Sequence, residues 1–331
     1  NSRHEERCAE ILSEHLPEVQ ITTSSEITKE WREYERTSTA VLNAYVQPTA
    51  SGYLRALGDD LHAYGIASQL DVMKSNGGTA TFAVSEQLPI HMVESGPVGG
   101  VIGAQAIGNA IGMPNLITLD IGGTTAKCSL IDHGEVKITT EYRIERDQHH
   151  AGYPIKIPVV DIVEIGAGGG SIAWIDGSGF LRVGPKSAGA DPGPACYGRG
   201  GTEPTVTDAH VAAGTIDPRL TIGSGVGVRI DRDLAIGALG RLGARLGLDP
   251  LATAEALLDV ANTKMVGALR AMSVQRGLDP REFVLMPFGG AGSLHLCALI
   301  DLLGARAGVV PPTPGVMSAV GCAFADMQHE L

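Results

Sequence analysis

Between Asn115 and Leu119 the chain is apolar for the length of a buried strand. It then passes through Asp120-Ile121-Gly122-Gly123-Thr124-Thr125 into a second strand-type run, Ala126 to Ile131. That order of residue types has a chemical reading. Glycines let the backbone turn through positive φ and bring N–H groups close to an anion, hydroxyls add donors, and a carboxylate at a strand end can hold Mg²⁺ directly or through water. Gly122, Gly123, Thr124 and Thr125 are therefore candidates for gripping a polyphosphate, with Asp120 as the Mg²⁺ ligand and Asp120 and Thr124 as the candidate catalytic residues. The same stretch also fits an ordinary hairpin turn.

Two further strand-type runs end in glycines. Phe283 to Pro287 leads into Phe288-Gly289-Gly290-Ala291-Gly292 and then a helix from Leu294 to Leu303. Exposed N–H groups and the dipole at such a helix start attract anions, so Gly289, Gly290, Ala291 and Gly292 are candidate contacts for an adenosine phosphate, and Gly290 is expected to need a positive φ. The competing reading is a tight connection in which glycine only permits close packing. Gly166-Ala167-Gly168-Gly169-Gly170-Ser171 follows Val160 to Ile165, and four glycines in five residues cost enough chain entropy that the backbone must approach something closely. It matches neither the P-loop nor the dinucleotide fingerprint.

The rest of the chain supplies layers for these turns. Arg3 to Leu16 reads as a charged helix, and Glu33 to Tyr64 as helices interrupted at Pro48. Ser68 to Lys74 alternates like a strand before the turn Asn76-Gly77-Gly78. A short strand at Met92-Val93 precedes a helix from Gly96 to Ile111. Asn115 to Leu119, Ala126 to Ile131 and Glu135 to Glu141 form an antiparallel meander. Val159 to Ile165 and Ser171 to Asp176 are strands, and Pro185 to Thr205 is a long Pro/Gly-rich loop of the kind that usually serves function. Arg232 to Leu246 and Leu251 to Arg276 are the clearest helices, and the second carries Leu257, Ala261, Met265, Leu269 and Met272 on one face. With 331 residues, 44% hydrophobic and 44 glycines, this is an α/β chain in one large domain or two lobes, read as 1–114, partly helical, and 115–331, holding the nucleotide.

Charge and cysteine usage exclude several functions. A formal charge of −12 without a Lys/Arg run argues against binding nucleic acid through its phosphates. The apolar windows fall short of a membrane span. Five scattered cysteines form no CxxC pair, which fits a reducing cytoplasm. His149, His150, Cys196, Asp208 and His210 are the candidate set for a transition metal, although their spacing fits no compact zinc motif. Cys196 also fits a small buried residue, and Asp208 a helix N-cap.

The three glycine motifs, in this order, resemble the hydantoinase A/5-oxoprolinase family. Glu33 to Thr39, Glu94-Ser95-Gly96-Pro97-Val98-Gly99-Gly100, Gly184-Pro185, Ala190 to Tyr197 and Pro204 to Ala209 fit the same pattern, so the resemblance spans nearly the whole chain. It implies the actin-like, Hsp70-like and sugar-kinase-like ATPase fold, related to ribonuclease H. It also implies ATP and Mg²⁺, and ATP-dependent opening of a cyclic amide or, in relatives, carboxylation of a ketone. A second catalytic subunit or domain of hydantoinase B type and an oligomer are implied partners. Family members carry a further phosphate loop upstream, so this chain is expected to be a segment of a longer polypeptide and a poor ATPase alone. Ala126-Lys127 stands where many members have a small hydroxyl residue followed by Asp, and Ser293 where Pro is usual, so Lys127 is expected to touch a phosphate rather than act as an acid. A small-metabolite kinase and a nucleotide-gated, non-catalytic subunit are the other readings such a fold allows.

Overall fold

The computed structural model describes residues 2–145, 150–219, 221–222, 227–274 and 276–327. Its contacts group the chain into two units, residues 1–103, 136–161 and 318–331 in one and 104–135 and 162–317 in the other. Each unit is discontinuous, so a single cut at 114/115 does not separate them.

In the first unit the long helix Glu33–Ala63 (α1) buries Thr39, Asn43, Gln47, Ser51 and Leu54. It runs unbroken through Pro48, against the expected interruption. Pro48 lies on the exposed side, where the lost N–H bond costs least, and the buried stripe on the opposite face holds the helix together. Asn43 Oδ1 accepts from Ile90 N at 3.1 Å, and Ser51 Oγ donates to Glu86 O at 2.8 Å. The strand expected before the turn Asn76-Gly77-Gly78 is Asp71–Met73, and Thr79–Thr81 pairs back onto it across that turn. Met92-Val93 is not a strand. Pro89 opens a 3-10 turn, Pro89–Met92, and the Ser75 hydroxyl lies within 2.7 Å of the His91 and Val93 carbonyls, which satisfies backbone that a strand ladder would otherwise serve. Helix Ser95–Ala110 (α2) then begins as expected. Its Gly99 faces the Ser318 carbonyl and the backbone of Gly321, on the helix Met317–Phe324, so closely that no Cβ would fit.

The second unit is built on a mixed sheet. Its strands are Leu116–Ile121 (β1), Ala126–Asp132 (β2), Ile162–Ile165 (β3), Val284–Phe288 (β4) and Ala307–Gly308 (β5), in the order β3-β2-β1-β4-β5. β1 pairs antiparallel with β2 and parallel with β4, and β4 pairs parallel with β5. β4 is apolar on both faces and β1 is buried on both faces up to Asp120, because both faces are covered. Pro287 is tolerated in a central strand for a local reason. Leu285 O accepts Val309 N on the β5 side, and Pro287, two residues on, faces the same side beyond the last pair, Leu285 with Gly308.

Of the helices Val206–Ala213 (α3), Arg232–Leu246 (α4), Pro250–Val274 (α5) and Gly292–Leu303 (α6), α5 and α6 rest on the sheet, and α3 and α4 pack against α5. α5 carries Leu257, Ala261, Met265, Leu269 and Met272 inward, the stripe its sequence predicts. The expected third strand of the meander is broken. Glu135–Val136 pairs with β2, while Ile138–Thr139 pairs with Val159–Val160, because the chain passes between units at 135/136. Val159 to Ile165 divides at Asp161 for the same reason.

Candidate functional site

β1 and β4 are neighbours and run parallel, with Phe288 paired to Asp120, so the turns that follow them leave the same edge side by side. In open α/β sheets this carboxyl edge is where ligands are held. The two turns touch directly, since Ala291 N donates to Ile121 O at 3.0 Å. Gly289 is the residue that makes the contact possible. It has φ +79°, and a Cβ on it would collide with Asp120 Oδ1 and come within 2.7 Å of Ile121 O. Gly290, expected to take the positive φ, does not; a Cβ there would meet open space. Gly290 and Ser293 are exposed, and Gly292 opens helix α6, with Ala291 as its N-cap.

The third glycine run closes on the first. Gly169 N donates to Gly122 O at 3.0 Å and Gly170 N to Gly123 O at 2.6 Å, while Gly122 N and Thr125 O close the first turn at 3.2 Å. A Cβ on Gly168 would lie 2.7 Å from Thr124 C and 2.8 Å from Thr125 N. Close backbone approach is thus the physical reason for this cluster, and what it approaches is the Asp120–Thr125 turn. Two side chains hold it there. Thr207, on α3, donates from its hydroxyl to Gly169 O at 2.8 Å, and the ammonium of Lys264, on α5, donates to Gly166 O at 2.7 Å and Val183 O at 3.2 Å. Sequence reasoning passed over Lys264, although a lone lysine beside the apolar stripe of α5 is a legible signal; burial holds its pKa below the usual lysine range. Gly122, Gly123 and Thr124 remain exposed, although the Gly122 N–H and the carbonyls of Gly122 and Gly123 are spent within this backbone stack.

Asp120 is half-buried at the end of β1. Burial raises its pKa, and the neighbouring Lys127 ammonium opposes that shift. The register places Lys127 across from Asp120 on one side and from Glu164 on the other, a carboxylate–ammonium–carboxylate row over three strands. The donor set at the edge is thus one carboxylate, the Thr124 and Thr125 hydroxyls and exposed backbone. Among the described residues no three His, Cys, Asp or Glu side chains gather to hold a metal ion. Hard oxygen donors with a single carboxylate fit Mg²⁺, which keeps most of its waters and binds mainly through phosphates.

The transition-metal set is not assembled. Asp208 is buried, and its oxygens accept from Cys196 N at 2.7 Å, Thr205 N and Oγ1 at 2.8 Å each, and Ala195 N at 3.2 Å. It is the third residue of a capping box whose N-cap is Thr205, rather than the N-cap itself. Cys196 is buried, and burial beside Asp208 pushes its thiol pKa far up, so it stays protonated. His210 points elsewhere, to Thr215 and His295. His150 is exposed, and His149 lies outside the described residues.

Comparison with known proteins agrees with this arrangement. The family model for hydantoinase/oxoprolinase matches residues 36–331. The caprolactamase subunit alpha of Pseudomonas jessenii is 34% identical over 331 residues, covering 100% of this chain and 46% of its own length. The acetophenone carboxylase gamma subunit of Aromatoleum aromaticum is 34% identical over 336 residues, covering 99% of this chain and 44% of its own. The crystal structure of the ATP-dependent caprolactamase from Pseudomonas jessenii superposes with a TM-score of 0.84 at 34% identity, over 99% of this chain and 46% of that one. The chain spans about half the length of the relatives it matches. Its fold is the actin-like ATPase fold expected from the motifs, with the strand order β3-β2-β1-β4-β5. With its three glycine turns meeting at the carboxyl edge of that sheet and the family pattern running from residue 36 to 331, the chain belongs to the hydantoinase/oxoprolinase family.

Proposed function

We propose that this chain holds ATP at the carboxyl edge of β1 and β4 in an enzyme that activates the carbonyl oxygen of a cyclic amide by phosphorylation, so that the ring C–N bond can be opened by water. The observation that carries the reading is the contact of the Asp120–Thr125, Gly166–Ser171 and Gly289–Gly292 segments at one edge, with exposed backbone and hydroxyl groups facing outward. Transfer of the γ-phosphoryl group needs positioning and charge neutralisation rather than covalent help from the protein. In this reading Asp120 orients Mg²⁺, and the N–H group of Gly123 with the Thr124 and Thr125 hydroxyls faces the phosphates, while the Gly122 N–H keeps the turn closed onto Thr125 O. Gly289 to Gly292 and the start of α6 receive the rest of the nucleotide. Lys127, beside Asp120, adds positive charge at the same edge. A second subunit or domain then completes the reaction, in keeping with relatives that are themselves named as subunits.

Carboxylation of a ketone is the second reading, favoured by the equal identity of 34% to a lactamase subunit and to a carboxylase subunit. Both need an activated oxygen, so the nucleotide edge alone does not separate them. The deciding measurement is ADP formation by the full polypeptide with its partner. Stimulation by a lactam with release of the ring-opened amino acid supports the first reading. Stimulation only by a ketone with bicarbonate supports the second, and a phosphorylated sugar or substrate-independent turnover would sink both.

A further inference from the structure

His210 of α3 and His295 of α6 are both buried, at 3% and 1% exposure, and neither belongs to the nucleotide edge itself. Their Nε2 atoms are 3.3 Å apart, with the rings nearly perpendicular at 80°. His295 Nδ1 meets Asn262 Oδ1 of α5 at 2.7 Å, and His210 Nδ1 meets Thr215 Oγ1 at 2.8 Å. Burial lowers the pKa of His210 to about 3, helped by His295, and that of His295 to about 4. Both rings are therefore neutral near pH 7, each with one donor and one acceptor nitrogen. With Asn262 Oδ1 accepting, His295 carries its proton on Nδ1, its Nε2 accepts from His210 Nε2–H, and His210 Nδ1 faces the Thr215 hydroxyl. Three of the four ring nitrogens are paired in this way, where unpaired buried polar groups would be costly; the Thr215 hydroxyl, which His210 Nδ1 faces, donates at 3.0 Å to the His210 carbonyl.

The location of this bond gives it a consequence. His210 stands three residues after Thr207, which clamps Gly169, and Gly169 in turn holds Gly122. His295 stands three residues after Gly292, at the end of the turn that rests on Asp120 and Ile121. The imidazole pair thus joins α3 and α6 one turn behind the points where each helix meets its glycine loop. We propose that the His210–His295 hydrogen bond, anchored by Asn262, is a positioning link that fixes the Gly289–Gly292 turn against the other two glycine loops and so sets nucleotide affinity. It rests on the reading of that edge as a nucleotide site.

The test is Mg·ADP affinity of the full polypeptide by calorimetry, with Asp120→Ala as the control for the site. His210→Leu removes the link and is expected to weaken binding about ten-fold, the worth of roughly one buried hydrogen bond. His210→Gln places an amide near the former Nε2 and is expected to restore affinity to within about two-fold of wild type. In steady state the loss should fall on KM for ATP and leave kcat near its wild-type value. A folded His210→Leu protein with wild-type affinity and only a lower melting temperature would overturn the link and leave the pair a packing device. If Asp120→Ala also binds normally, the nucleotide reading falls and the link with it; if Asp120→Ala alone loses binding, only the link falls. Should His210→Leu fail to fold, imidazole ¹⁵N spectra of the wild type decide: saturating Mg·ADP should shift the resonances of His210 and His295, and unmoved resonances overturn the proposal.

Discussion

Asp120 is a residue on which stability and the proposed function pull in opposite directions. Its pKa is raised by burial, so the fold favours the neutral acid. A raised folded-state pKa means that the stabilisation is present below the unfolded value of 3.8 and is lost as pH rises through the folded value. At neutral pH the ionised carboxylate is therefore a cost to folding. Asp120→Asn is expected to raise the melting temperature at pH 7 while cutting Mg²⁺-dependent nucleotide affinity at least about ten-fold, since a charged ligand to the metal is lost. Scanning calorimetry and titration calorimetry on the same sample check the two signs, and a lower melting temperature would show that attraction to Lys127 outweighs burial. Gly289 is constrained by shape instead. With φ at +79° and Asp120 where a Cβ would go, Gly289→Ala should cost about 1–3 kcal/mol in urea unfolding, whereas Gly290→Ala, facing open space, should change stability by less than about 1 kcal/mol.

At the level of elements, α3 is short for the work it does. Its eight residues are all buried except Ala213, so little of its stability comes from a solvated face, and its start is fixed by the Thr205–Asp208 capping box. Thr205→Ala should cost about 1–2 kcal/mol by losing the cap. Asp208→Ala should cost more, about 3 kcal/mol or above, because it strands the buried N–H groups of Ala195 and Cys196 as well as Thr205. Chemical denaturation of the two variants checks the ranking, and equal losses would show that the loop Ala195–Tyr197 finds other partners. α1 teaches the complementary lesson about proline. An exposed Pro48 does not break a helix whose opposite side is bound through Asn43 and Ser51 to the segment 86–90, since those buried hydrogen bonds outweigh a penalty of about 3 kcal/mol.

Across the whole molecule, acid sensitivity should follow from the buried imidazoles. His210 and His295 have folded pKa values of about 3 and 4, below the ordinary 6.5, so the unfolded chain binds protons more readily. Their contribution to stability is complete above pH 6.5 and is lost as pH falls from there toward 4 and 3. Unfolding midpoints in urea should therefore drop across that window, and the drop should be shallower in His210→Gln, where one of the two groups cannot titrate; an unchanged slope would show that carboxylates alone govern the acid limb. The sequence by itself determined the strands at 116–121, 126–132 and 284–288, the helices at 95–110, 232–246 and 250–274, and the fact that three strands end in glycine, because periodicity and turn chemistry are local properties of the chain. Only the tertiary structure decided that those glycine turns meet. The pairing of Asp120 with Phe288 joins residues far apart in sequence, and its register is set by the sheet rather than by either segment. The same long-range pairing assigned the positive φ to Gly289 rather than Gly290, and folding around it brought Thr207 and Lys264 onto the glycine backbone and joined His210 to His295. A side chain's partner across a fold leaves no trace in its neighbours along the chain.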